Sequence, residues 1–74
     1  MELNDLKYQS ETDDIKFNYK NKEYVICLLR GKYYSGEAGN DKDDNSFDSF
    51  EDMADKWIIQ GKSLKDVVKD IEVI

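Results

Sequence analysis

Between Ile15 and Leu29 the apolar rhythm changes once, and that change constrains the fold more than anything else in the chain. Ile15-Lys16-Phe17-Asn18-Tyr19-Lys20 alternates apolar and polar residues, the period-two pattern of a strand with one buried face. After Asn21-Lys22 and Glu23 comes Tyr24-Val25-Ile26-Cys27-Leu28-Leu29, an apolar run rich in aromatic and β-branched residues that reads as a central strand. A two-residue turn at Asn21-Lys22 would pair Tyr19 with Tyr24, Phe17 with Ile26 and Ile15 with Leu28, all on one face, and set Lys20 opposite Glu23. The second face then carries Lys16, Asn18, Lys20, Val25, Cys27 and Leu29, in part apolar enough to hold another chain. An exposed first or third strand offers edge pairing as well.

Arg30-Gly31-Lys32 is a second turn signal, and Tyr33 to Gly39 returns as a third strand weakened by its glycines. Asn40 to Ser46 contains no apolar residue and is expected to be an exposed loop. Ser49 is placed to cap a helix with Asp52 three residues on. Phe50, Met53, Ala54, Trp57 and Ile58 fall on one face of that helix, and Gly61 stands where a C-terminal glycine ends it. Ser63 then caps a shorter helix with Leu64, Val67, Val68 and Ile71 on one stripe, reaching to about Asp70. Residues 71 to 74 fit a helix continuation or a last short strand.

The expected fold class is therefore α+β: a small single domain over residues 1–74, with a three-stranded antiparallel sheet followed by two helices (β-β-β-α-α) packed on one face. Residues 1–14, mostly polar, are expected to be irregular. At 74 residues the chain has material for one core and little volume for an enclosed substrate cavity, so function is expected on the surface. The start Met1-Glu2-Leu3-Asn4-Asp5-Leu6 lacks the basic-then-apolar pattern of a secretory signal, and the longest apolar run is far short of a membrane span. A cytoplasmic protein with no membrane partner is expected. Cys27 is the only cysteine, so no internal disulfide can form, and its apolar neighbours suggest an inert core thiol.

The net charge of −6 is unevenly spread. Glu37, Asp41, Asp43, Asp44, Asp48, Glu51, Asp52 and Asp55 face one base, Lys42, within residues 37–55, a local −7. Nine acids and ten bases are left for the rest of the chain. Asp48, Glu51 and Asp52 suit the positive end of a helix dipole. Asp41, Asp43 and Asp44 precede the helix and repel one another with no structural return evident in the sequence.

With no histidine in the chain, Ser-His and Cys-His nucleophile systems and the most common general base are excluded. The glycines match no phosphate-binding spacing, and the nine aromatic residues lack the positive groove that single-strand nucleic-acid binders couple to theirs. No catalytic residues, no cofactor and no direct nucleic-acid partner are expected.

Residues 41–52 resemble the calcium loop of EF-hand proteins, with oxygen side chains at positions 1, 3, 5, 9 and 12. The resemblance would make Asp41, Asp43, Asn45 and Asp52 ligands together with the Phe47 carbonyl. Ser46 in place of the turn glycine, Asp48 in place of an apolar residue and Asp52 in place of the bidentate glutamate depart from that family.

The leading functional expectation is an acidic protein-binding module, with those eight acids as the partner-binding residues and a protein with a basic, nucleic-acid-binding surface as the partner. In size and charge alone the chain resembles the small inhibitors that phages and mobile elements direct against host nucleases, including anti-CRISPR and anti-restriction nucleic-acid mimics. The alternative is an antitoxin or immunity-type module acting through a sheet edge or the apolar sheet face; the layout is loosely similar to HicB-type antitoxins. A calcium-binding loop module is third.

Overall fold

The computed structural model describes residues 1–74. Helix α1 (Leu3–Thr12) is followed by β1 (Ile15–Tyr19), β2 (Lys22–Leu29), β3 (Lys32–Glu37) and β4 (Asn45–Phe47). Then come α2 (Phe50–Lys56), β5 (Ile58–Ile59), β6 (Lys62–Ser63), α3 (Leu64–Val67), a 3-10 turn over Val68–Asp70, and β7 (Glu72–Val73). The main sheet is antiparallel with five strands in the order β4-β3-β2-β1-β7, and β5 and β6 form a separate two-stranded hairpin. This corrects the expected three-stranded sheet followed by two helices: the domain is α+β, but with a five-stranded sheet, a separate two-stranded hairpin and three helices.

The β1–β2 hairpin forms with its turn one residue earlier than expected. Lys20 and Asn21 both take positive φ, 47° and 68°, and the register pairs Tyr19 with Lys22, Asn18 with Glu23, Phe17 with Tyr24 and Ile15 with Ile26. The pairing differs from the expected one by two residues, an even step, so every apolar side chain keeps its face. The observed register stacks Phe17 on Tyr24 at 5.5 Å between ring centroids and leaves Leu28 to pair with Tyr33 on β3. Lys20 therefore belongs to the turn, its Nζ over the Tyr19 ring, and is not on the second face.

Four further expectations change, each for a local reason. Residues 1–14 are not irregular, because Leu3, Leu6 and Ser10 share one side of α1; Leu6 is fully buried, and the Ser10 hydroxyl donates to the Lys7 carbonyl at 2.7 Å. The loop expected over Asn40–Ser46 gives up Asn45 and Ser46 to β4, which pairs with β3. Helix α2 starts as expected, with the Ser49 hydroxyl accepting from the Asp52 amide at 3.0 Å, but ends at Lys56. Ile58-Ile59 are β-branched and leave the helix for a hairpin whose turn residues, Gln60 and Gly61, both have positive φ (51° and 89°). Gly61 is thus a hairpin glycine and not a helix C-cap. Ile59 is buried while Ile58 is 60% exposed, the alternation of a strand.

In the C-terminal part the stripe Leu64, Val67, Val68 and Ile71 is buried as read, and the helical region runs to Asp70. Glu72 and Val73 resolve the open choice at the tail by pairing with Asn18 and Phe17. All three helices lie on one side of the sheet, over a cluster of sixteen buried hydrophobic residues. Trp57 stands at its centre, edge-on to both Phe17 and Tyr24 at 6.0 Å.

Candidate functional site

The eight acids of residues 37–55 do not form a uniform negative surface. Five carry a lysine partner: Glu37 with Lys22 at 3.3 Å, Asp48 with Lys32 at 3.5 Å, Glu51 with Lys7 at 2.9 Å, Asp52 with Lys56 at 3.7 Å and Asp55 with Lys65 at 3.1 Å. These pairs sit in water and hold little energy, but each lysine offsets its acid at long range. In the Lys7–Glu51 pair, the mutual hydrogen bond raises the lysine pKa and, with a backbone hydrogen bond, lowers that of the carboxylate. The pair ties α1 to the first turn of α2. Asp41, Asp43 and Asp44 take part in no ion pair.

Asp43 has the structural return that its sequence context hides. Its carboxylate accepts the Glu37 backbone N–H at 2.7 Å and the Asn45 side-chain amide at 3.0 Å, while that amide also donates to the Ser35 carbonyl at 3.1 Å. Asn40 closes a local turn by accepting the Lys42 N–H at 3.1 Å. The loop is thereby folded back against β3, where a Cβ at Gly36 would collide with the Asp43 carbonyl oxygen. Gly36 is a close-approach glycine, and Asp43 is the buttress that holds the loop on it.

The side of the sheet away from the helices has no such cover beyond this loop. It presents Lys16, Asn18, Val25, Cys27, Leu29 and Tyr34, with Cys27 opposite Tyr34 and Val25 flanked by Lys16 and Gly36. Where the loop meets this face lies an open groove of about 440 Å³, floored by Val25, Cys27 and Tyr34 and walled by the 36–44 segment with Asp41, Asp43 and Asp44. Leu29, 55% exposed, extends the apolar floor beyond it.

Cys27 was expected in the core and instead lies half-buried on this open face. β2 alternates, and the residues that face the helices are Tyr24, Ile26 and Leu28. A hydrogen bond to Asp14, partial burial and the Asp14 charge push the thiol pKa above its ordinary value, in that order of size.

The residues that resemble a calcium loop are separated by this architecture. Asn45 and Phe47 belong to the β3–β4 ladder, the Asp43 oxygens are taken by two donors, and Asp52 pairs with Lys56 on α2. No group of three or more acidic, cysteine or histidine side chains is gathered to hold a metal ion. The edge-pairing expectation changes too: β1 and β3 are inner strands, and the actual edges, β4 and β7, are three and two residues long. Such short edges offer few free backbone groups.

Among the site residues, Val25 and Cys27 fall on the second face that the β1–β2 pattern defines, while Tyr34 joins them through the β2–β3 register, which the sequence does not fix. The buttress was not, because it depends on Gly36 and Asp43, seven positions apart, meeting face to face. No family model matches the chain, and no curated protein or solved structure is significantly similar to it. No helix is long and apolar enough to cross a membrane.

Proposed function

We propose that this domain is a non-catalytic, cytoplasmic protein-binding module that covers a basic surface of a partner protein, including one that otherwise binds nucleic acid. The observation that carries this reading is the uncovered sheet face continuous with a loop whose Asp41 and Asp44 have no lysine partner. Apolar floor and anionic rim together supply contact area and orientation, and the net −6 supplies attraction at a distance. The inhibitor role, in the manner of anti-CRISPR or anti-restriction mimics, follows from charge and size and is the finer part of the proposal.

The experiment is affinity capture from the source cell with tagged protein, at low and at high salt, followed by a nucleic-acid competition. A captured protein with a basic surface should be released as salt rises, and the domain should displace DNA or RNA from it. The isolated domain should give no mobility shift with DNA or RNA, since phosphates would meet a net negative surface. A direct micromolar shift would overturn the partner class. A second reading, an antitoxin or immunity-type module holding its partner through the apolar face alone, is favoured by the lysine partners of five of the acids. It requires capture that persists at high salt.

A further inference from the structure

The groove beside the 36–44 loop joins two surfaces of different chemistry. Val25 and Cys27 are half-buried on its floor, and the Tyr34 ring is exposed beside them. Asp41 and Asp44 stand exposed on the wall, outside every ion pair of the molecule. Lys16 lines the opposite side, two strands away from Gly36. An occupant must therefore bring apolar length to the floor and positive charge to the loop end, away from Lys16. Arginine meets both demands in one side chain: its methylenes lie along apolar atoms while its planar guanidinium stacks on an aromatic face and donates to carboxylates. A second copy of this chain would bring the same acidic rim, and a nucleic acid would bring phosphates, so neither is complementary.

We propose that this groove takes an arginine-bearing extended segment of the partner protein, with the guanidinium between Tyr34 and the Asp41/Asp44 rim and the neighbouring apolar residues along Val25 and Leu29. This rests on the reading of the domain as a module for a basic partner and adds where, and by which side chain, the partner is held.

The test titrates isotope-labelled full-length chain with an alternating arginine–valine hexapeptide and follows the backbone amide resonances. Alternating lysine–serine and glutamate–valine hexapeptides serve as controls. Shifts should centre on Val25, Cys27, Tyr34 and residues 36–44, and the peptide should slow alkylation of Cys27. Val25→Arg, which puts a cation on the groove floor, should weaken binding by about tenfold or more, and Tyr34→Ala by about threefold. Unchanged melting curves for both variants separate lost binding from lost fold. Strongest shifts on α2, equal binding of the lysine–serine peptide, or no shift at millimolar arginine–valine peptide would each overturn the groove assignment. If the captured partner is salt-sensitive but held equally well by Val25→Arg, the groove assignment fails and the basic-partner reading stands. If the peptide fills the groove but no salt-sensitive partner is captured, the reverse holds.

Discussion

The two faces of the five-stranded sheet use the same strands and teach opposite lessons. Toward the helices, Ile15, Phe17, Tyr19, Tyr24, Ile26 and Tyr33 are buried with Trp57, Phe50 and Met53 in one apolar cluster. On the other side the only cover is the 37–44 turn, held by hydrogen bonds at Asp43 and by contact with Gly36. Burial of large apolar side chains stabilises by kilocalories per residue, whereas an exposed hydrogen-bonded loop contributes far less. The closed face fixes the fold, and the open face, away from the Gly36–Asp43 contact, is left to vary with little loss of stability.

Truncation on each face gives the largest contrast. Trp57→Ala should cost about 3–5 kcal/mol, a large part of what a domain this small has, while Val25→Ala should cost about 1 kcal/mol or less. Denaturant titration of both variants measures the difference, and equal losses would break the comparison. Gly36→Ala comes next, at about 1–3 kcal/mol, because the new methyl group meets the Asp43 carbonyl and the loop must move. Amide shifts confined to residues 35–45 are expected with that loss.

Asp43→Ala should cost about 1–2 kcal/mol by leaving the Glu37 N–H without its acceptor and the Asn45 amide with only the Ser35 carbonyl, whereas Asp41→Asn and Asp44→Asn should stay within about 0.5 kcal/mol of the parent. If the three aspartates prove equivalent in thermal melts, the loop is not buttressed as described. The smallest effect concerns Cys27. Its raised pKa leaves less thiolate at neutral pH than an ordinary cysteine has, so alkylation should be slow at pH 7 and accelerate only as pH passes above the usual thiol range. Asp14→Ala should move that rise to lower pH and speed the neutral reaction. An unchanged profile would show that Asp14 does not govern the thiol.

Local patterns made much of the closed face legible. Period two marks β1, an apolar run of aromatic and β-branched residues marks β2, and the stripe Phe50-Met53-Ala54 behind the Ser49 cap marks α2. Misreadings fell where one residue type serves two structures. Gly61 ends helices and closes hairpins equally well, and the positive φ of Gln60 beside it decided for the hairpin. α1 was missed because a helix resting on a sheet can manage with Leu3, Leu6 and a small Ser10, too sparse a stripe to stand out. The acids resisted reading most: whether each has a lysine depends on pairs such as Lys7–Glu51 and Asp55–Lys65, brought together by tertiary packing.

Strand β7 lays Glu72 and Val73 beside Asn18 and Phe17, partners from nearly opposite ends of the chain order. The β1–β2–β3 meander is built from two-residue turns and can assemble within microseconds as local structure, while closing a long loop carries a larger entropy cost. The order of assembly should therefore be meander first, helices second and β7 last. β7 would then act as a clasp: opening it exposes the outer edge of β1, and the amides there should exchange with solvent sooner than those of β2.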